Sequence, residues 1–132
     1  MPLPEPFDLQ FMAPELLHGG TRTVATDVFV LGAILYRAST GRALHAGDTF
    51  MVAYRATERG TFDAPSQLVP GYPAAISAVV EKALALDPAD RYEDAAAFAA
   101  ALEIVLDEAA IEPETALLAE LARGAIDARA RK

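Results

Sequence analysis

The stretch VFVLGAILY, residues 28–36, contains nine consecutive uncharged residues and decides the fold. A helix over this stretch is apolar on every face, and such a helix is stable only when other elements surround it. Thr23 or Thr26 is a suitable N-cap and Gly41 a suitable C-terminal stop. The stretch therefore predicts a central buried helix over about residues 24–39. A buried strand is the alternative, because a continuous apolar run has no period that separates the two.

Further helices are predicted on both sides of this central helix. Before it, a short helix begins at Pro14, since proline is tolerated in a first helical turn, and ends near Gly19. After it, Asp48 is a candidate cap for a helix that reaches about Glu58. A loop rich in glycine and proline follows.

The second half of the chain predicts two more helices, separated by the breaker DPADRY, residues 87–92. The earlier helix has apolar residues at the spacing i, i+3, i+4, i+7 and i+8, which indicates one buried face. These residues are Ile76, Val79, Val80, Ala83 and Leu84. The later helix is predicted over about residues 93–109, with Phe98, Leu102 and Val105 buried.

Both ends of the chain are predicted to extend this helical body, residues 11–108. Residues 1–10 contain three prolines and predict an extended arm. Residues 109–132 predict a sixth helix that starts at Pro113, with acidic residues early and basic residues late, which suits the helix dipole. The predicted fold class is all-α, with about six helices around one buried helix.

Composition excludes several classes of function. The chain has 132 residues, a net charge of −8 and no cysteine, so disulfides and thiolate metal sites are excluded. Residues 81–112 hold nine acidic and two basic side chains, which disfavours binding to nucleic acid. The longest apolar run near the centre is too short to cross a bilayer, and no secretory signal is recognisable. We therefore expect a cytoplasmic protein without membrane contact.

The sequence offers no set of residues for metal, hydrolytic or nucleotide chemistry. His18 and His45 lack the spacing of a zinc site, and the acidic residues around Asp90 lack the pattern of a calcium loop. No glycine-rich phosphate loop and no nucleophile elbow occurs. We expect no catalytic, metal-binding or cofactor-binding residue, and no binding of ATP by the isolated chain.

Three motifs in order carry a family resemblance. FMAPE (residues 11–15), TDVFVLGAILYRASTGRALHAG (residues 26–47) and VVEKALALDPADRYEDAAAFAAALE (residues 79–103) resemble the second half of the C-terminal lobe of bacterial serine/threonine protein kinases. The resemblance covers about residues 11–103. It implies a truncated kinase C-lobe, without the nucleotide lobe and the catalytic loop.

The first and third motifs imply a structural ion pair. Phe11, Met12, Ala13 and Pro14 resemble the end of the family's activation segment, and Glu15 follows them. In the family this glutamate pairs with the arginine that precedes the last lobe helix, which is Arg91 here. The alternative is that the two are unrelated surface charges.

The second motif resembles the start of the family's F helix, with Asp27 and Gly32 at matching positions and Val30 in place of a serine. In the family this aspartate holds the catalytic loop from beneath. Because that loop is missing from this sequence, we expect Asp27 to cap its own helix, to face water or to find another partner.

The missing motifs matter more for function than the matching ones. The sequence has no His-Arg-Asp loop and no Asp-Phe-Gly metal site, and Phe7 and Asp8 stand where the family has Gly-Thr. Without these parts, phosphoryl transfer by this chain alone is not expected. The parent family is an enzyme family, but the chain is predicted to be inert.

Without the family's E helix and catalytic loop, one side of the central helix is predicted to need another cover. The candidates are the proline-rich arm, the added terminal helix folding back, and a second chain. If the arm and the terminal helix leave a large apolar surface exposed, association with a protein partner or self-association, such as a homodimer, is expected. The candidate interface residues are Leu3, Phe7, Leu9, Phe29, Leu117 and Leu121. Two alternatives remain: a split fragment of an active kinase whose other half supplies ATP binding and phosphotransfer, and an unrelated helical adaptor.

Overall fold

The computed structural model describes residues 8–108, and within them every regular element is a helix. The predicted all-α class is confirmed. Five α-helices follow one another: α1 (Val24–Thr40), α2 (Phe50–Arg59), α3 (Pro65–Leu68), α4 (Ala74–Ala83) and α5 (Ala95–Glu108). Three short 3-10 helices complete the set: Asp8–Gln10, Pro14–His18 and Pro88–Asp90.

Some predictions lie outside the described residues. These are most of the proline-rich arm, the sixth helix, and four of the candidate interface residues, namely Leu3, Phe7, Leu117 and Leu121.

Helix α1 forms over the apolar stretch, so the alternative of a buried strand is wrong. Thr23 is its N-cap: its Oγ1 accepts from the backbone N of Thr26 at 3.4 Å, and the Oγ1 of Thr26 accepts from the backbone N of Thr23 at 3.0 Å. At the other end Gly41 adopts a left-handed φ of 78°, which a residue with a Cβ adopts only with strain. These two signals set the length of the helix.

The core lies around α1, which packs against α3, α4 and α5. Residues from opposite sides of the helix are buried, as expected for a helix that is apolar all round. The core side chains include Val28, Leu31, Leu35, Ile76, Val80, Leu84, Phe98 and Leu102. Within the apolar stretch 28–36 one residue is exposed: Ile34, at 49%.

A second, smaller core lies under α2. It consists of Leu9, Leu17 and Ala53, with Met12 and Tyr54 packed at its edge. The cap of α2 is Thr49, whose Oγ1 accepts from the N of Val52 at 3.3 Å, and not Asp48 as predicted. The backbone N of Asp48 instead closes the preceding turn on His45 O at 3.0 Å, so the helix starts one residue later.

Two elements differ from the sequence prediction. Helix α3 lies inside the predicted loop, with Pro65 in its first turn and the N of Ala64 donating to Gln67 Oε1 at 3.0 Å. Helix α5 starts at Ala95 and not near Glu93, because Asp94 Oδ1 accepts from the N of Ala97 at 2.7 Å and so caps the helix.

Gly32 allows α1 and α4 to approach closely. A Cβ at Gly32 would lie 2.9 Å from the Cβ of Ala83 and 3.2 Å from Cδ2 of Leu84, and both neighbours are buried. In an exposed helix, replacing glycine by alanine raises stability by roughly 0.5–1 kcal/mol. Here the added methyl group has no space.

We expect Gly32→Ala to lower the free energy of unfolding by about 1–3 kcal/mol, the usual cost of overpacking a core. Chemical denaturation of the two proteins measures the difference. The double variant Gly32→Ala/Ala83→Gly removes the clash, so it is expected to lose less stability than the sum of the two single changes. A Gly32→Ala protein as stable as the wild type would contradict this packing.

Candidate functional site

Arg91 is the most highly connected buried polar side chain of the described structure. It is 4% exposed, and each of its five N–H groups has an oxygen acceptor. Its Nε donates to Ala85 O at 2.8 Å, and its Nη2 donates to Leu86 O at 3.3 Å. Its Nη1 donates to Ala25 O at 3.0 Å. The two remaining N–H groups bind Glu15: Nη1 to Oε2 and Nη2 to Oε1, each at 2.8 Å.

This geometry is a bidentate, charge-assisted ion pair, the strongest arrangement available to arginine and a carboxylate. The structure therefore brings together Glu15 and Arg91, which are 76 positions apart in the sequence. The acceptors of Arg91 come from the helix Pro14–His18, the first turn of α1 and the turn after α4. One side chain thus fixes three separate segments of the chain.

Glu15 has a further hydrogen-bond donor, Thr26. The Oγ1 of Thr26 donates to Glu15 Oε2 at 2.8 Å, and Thr26 itself is fully buried. Burial by itself raises the pKa of Glu15, but the hydrogen bonds from Arg91, its own backbone and Thr26, together with the positive charge of Arg91, outweigh it and hold the pKa below its ordinary value of 4.5. The carboxylate is therefore charged at neutral pH.

Phe29 covers one face of the ion pair. The Cζ of Arg91 lies 5.0 Å from the centroid of the Phe29 ring, which is within cation–π range. Phe29 is 5% exposed, and Leu9 lies in the small core under α2. The prediction that these two residues offer an interface surface is wrong, because the core takes up both side chains.

The residues that resemble the end of an activation segment lie directly beside this site. Ala13 and Pro14 are buried, Phe11 packs against the main core, and Met12 packs against the small core. Their side chains are used for packing in this structure. They supply no group that takes part in proton transfer or nucleophilic attack.

Asp27 lies in the first turn of α1 and accepts from Arg22 Nε at 3.1 Å. Both side chains are partly exposed, so this pair stabilises the fold by about 1 kcal/mol at most. An acidic residue in a first helical turn also interacts favourably with the helix dipole. Asp27 thus has a local partner, whereas Gly32 serves the contact between helices.

Two features of the site escaped the sequence prediction. Thr26 was considered only as a cap, yet it bridges the Thr23 backbone and the Glu15 carboxylate. The backbone acceptors Ala25, Ala85 and Leu86 carry no side-chain signal, so only the folded chain reveals them. Of the groups in this network, the sequence motifs indicated only the pairing of Glu15 with Arg91.

Neither histidine belongs to this site. His18 Nε2 lies 3.0 Å from Glu58 on the surface, and His45 adopts a positive φ of 61° in the loop before α2. Over residues 8–108 there is no group of three or more acidic or histidine side chains that could hold a metal ion. Over the same residues no helix has the length and apolar content to cross a membrane.

The relatives that the chain matches include bacterial protein kinases. The chain is 37% identical over 98 residues to the tyrosine-protein kinase MasK of Myxococcus xanthus. It is 34% identical over 104 residues to the serine/threonine-protein kinase PknL of Mycobacterium tuberculosis, and 40% identical over 90 residues to PknK of the same species. No protein-family model matches the chain.

These matches cover most of this chain but a small part of each relative. They include 74% of the chain for MasK, 76% for PknL and 65% for PknK. The same matches span only 15%, 25% and 8% of the three relatives, respectively.

Removing one partner of the buried pair strands the other charge. We expect Arg91→Ala to lower the free energy of unfolding by about 3–5 kcal/mol, and Arg91→Lys to lower it by less, because lysine keeps the charge but not the bidentate geometry. Denaturant titration measures both. Arg22→Ala is the matched control, since it breaks an exposed pair and is expected to cost at most about 1 kcal/mol. Equal effects of Arg91→Ala and Arg22→Ala would contradict the structural role of Arg91.

The lowered pKa of Glu15 also predicts a pH dependence. Because the folded-state pKa lies below the unfolded value of 4.5, the stabilisation is present above that value and is lost as pH falls through it toward the folded-state pKa. We expect the stability difference between the wild type and Glu15→Gln to shrink between about pH 7 and about pH 3. Urea titrations of both proteins across this range measure it. A difference that stays constant would show that Glu15 does not titrate as described.

Proposed function

Since this chain belongs, over the part that it matches, to the family of bacterial protein kinases, we propose that it is a kinase-derived interaction module that does not itself transfer phosphate. In this proposal it corresponds to the second half of a kinase C-lobe. It acts in the cytoplasm by binding a protein partner or a second copy of itself, and it binds neither nucleic acid nor membrane.

One contrast carries the proposal. The residues that stabilise the fold, Glu15 and Arg91, form a complete network of hydrogen bonds. The sequence, however, contains no His-Arg-Asp loop, no Asp-Phe-Gly metal site and no glycine-rich phosphate loop. Phosphoryl transfer depends on positioned magnesium ions and on groups that neutralise phosphate charge. The residues that hold the fold together are thus present, whereas the motifs that a kinase uses for phosphate transfer are missing from this sequence.

Exposed apolar side chains support the binding role. Large apolar residues that are about half exposed or more occur on three helices: Val24 and Ile34 on α1, Met51 and Val52 on α2, and Ile104 on α5. Within α2, the neighbours Met51 and Val52 are both about half exposed, and adjoining apolar surface is where globular proteins bind partners. The described surface therefore favours an interaction module over an isolated domain.

A second candidate function, a split kinase, follows from the length of the relatives. PknL is about four times as long as the matched stretch, since the match spans 25% of it. In this alternative the complementary half binds to the shallow depression beside α1 that is lined by Phe11, Ile34, Arg37, Ala38 and Gly41. That half then supplies the ATP site and the catalytic loop.

Nucleotide binding tests the proposal directly. We expect ATP with magnesium to leave the melting temperature of the chain unchanged, because the sequence contains no glycine-rich phosphate loop and a ligand that does not bind does not stabilise the fold. We also expect no transfer of labelled phosphate to the chain or to a generic protein substrate. A clear thermal shift with ATP and magnesium would contradict the proposal, and a kinase domain that contains the missing motifs serves as the positive control.

The same assay separates the two candidates. Phosphotransfer that appears only when an upstream-encoded fragment with His-Arg-Asp and Asp-Phe-Gly is added would establish the split kinase. In that case Ile34→Glu is expected to abolish the recovered activity, because it places a charge in the apolar depression.

A further inference from the structure

Two exposed helix faces of this chain have complementary patterns. On α2, Met51, Arg55 and Arg59 are spaced by four residues and form one exposed row, with Val52 beside it. We name these four residues the α2 face. The row is apolar toward the N-terminus of the helix and basic toward its C-terminus.

The opposite charge pattern occurs on α5. Ala100, Ile104 and Glu108 are also spaced by four residues and are exposed, with Asp107 beside them. We name these four residues the α5 face. Ile104 is 58% exposed, which is more than any other large apolar side chain of the described residues. This row is apolar toward the N-terminus and acidic toward the C-terminus.

The charged groups of both faces are available for pairing. The ion pairs of the described structure join His18 to Glu58, Arg22 to Asp27 and Arg91 to Glu15, so none involves either face. Glu58, the acidic residue on α2, is directed to His18 at 3.0 Å. Arg55 and Arg59 therefore present a net positive charge to the outside of the molecule.

We propose that the α2 face of one copy binds the α5 face of a second copy. This inference rests on the self-association in the proposed function and names the two surfaces. With the helices side by side and parallel, Met51 and Val52 contact Ile104, and Arg55 comes level with Asp107 and Glu108, whereas Arg59 lies one step further along α2. The steps from Met51 to Arg55 and from Ile104 to Glu108 are equal, about 6 Å along each helix, so both contacts form in one register.

Charge favours a second copy as the occupant. The chain carries a net charge of −8, so two copies repel each other overall unless oppositely charged faces meet. The α2 face is a basic exception, and the α5 face is an acidic surface with a matching apolar residue. If a two-fold axis relates the copies, the contact forms twice and closes a dimer, whereas a head-to-tail relation produces a closed ring or an open chain.

Charge reversal on the full chain tests this pairing. One variant carries Arg55→Glu and Arg59→Glu, and the other carries Asp107→Arg and Glu108→Arg. We expect each variant alone to associate roughly tenfold more weakly or worse than the wild type, because like charges then oppose each other. We expect an equimolar mixture of the two to associate again, since each reversed face meets a reversed partner. Sedimentation velocity over a concentration series measures the mass, and circular dichroism checks the fold.

Two controls sharpen the result. Arg37→Glu/Arg42→Glu reverses two exposed arginines outside both faces and is expected to leave association unchanged, although it changes the net charge as much as the α2 variant does. Added salt is expected to weaken association of the wild type, because exposed charges are screened.

The outcomes separate this inference from the proposed function. If the wild type associates but the reversed variants associate equally well, or if the mixture does not recover, the pairing of α2 with α5 is wrong while self-association stands. If reversal lowers the melting temperature without changing the mass, the faces bind within one copy, and the inference is overturned. If the wild type is a monomer at every concentration, self-association fails together with the inference.

Discussion

The structure depends on the need to satisfy one buried positive charge. A guanidinium in the core is tolerated only when all its donors have acceptors and its charge is balanced. Arg91 meets this condition with three backbone carbonyls and the Glu15 carboxylate, and Phe29 covers its face. The acceptors come from three segments: the helix Pro14–His18, the start of α1 and the turn after α4. All three must therefore be in place together. The ion pair therefore specifies the arrangement of the fold as much as it stabilises it.

Around this constraint, the apolar helix α1 contributes more buried hydrophobic residues than any other described helix. Helix α4 approaches α1 closely at Gly32, which has no side chain. Ala83 and Leu84, at the end of α4, fill the space there. A methyl group at position 32 would push α1 and α4 apart. Ala85 and Leu86, whose carbonyl groups accept from Arg91, come directly after Leu84 in the sequence, so such a shift would also move these two acceptors. Packing and the polar network are thus linked through a few residues of one turn.

The same arrangement separates the residues that hold the fold from those on which the proposed function rests. Glu15, Arg91 and Gly32, which stand in the motifs that resemble the kinase family, stabilise the described structure through hydrogen bonds and close packing. The proposed binding role instead rests on surface side chains such as Ile34, Met51 and Ile104, which the core leaves exposed. The proposed interaction thus depends on the pattern of apolar and charged residues outside the core.

The sequence by itself determined the helical class and the approximate limits of α1, with Thr23 or Thr26 as cap and Gly41 as stop, because caps, breakers and hydrophobic period are local signals. The pairing of Glu15 with Arg91 came from the resemblance to the kinase family and not from a local signal. The sequence placed the cap of α2 one residue early and missed α3, since adjacent Asp48 and Thr49 both suit a cap and four residues are too few to show a period. Only the tertiary structure decided that Phe29 and Leu9 are buried, that Thr26 serves Glu15, and which apolar residues remain outside. Burial is a property of what packs against a residue, and the partners lie far away in the sequence.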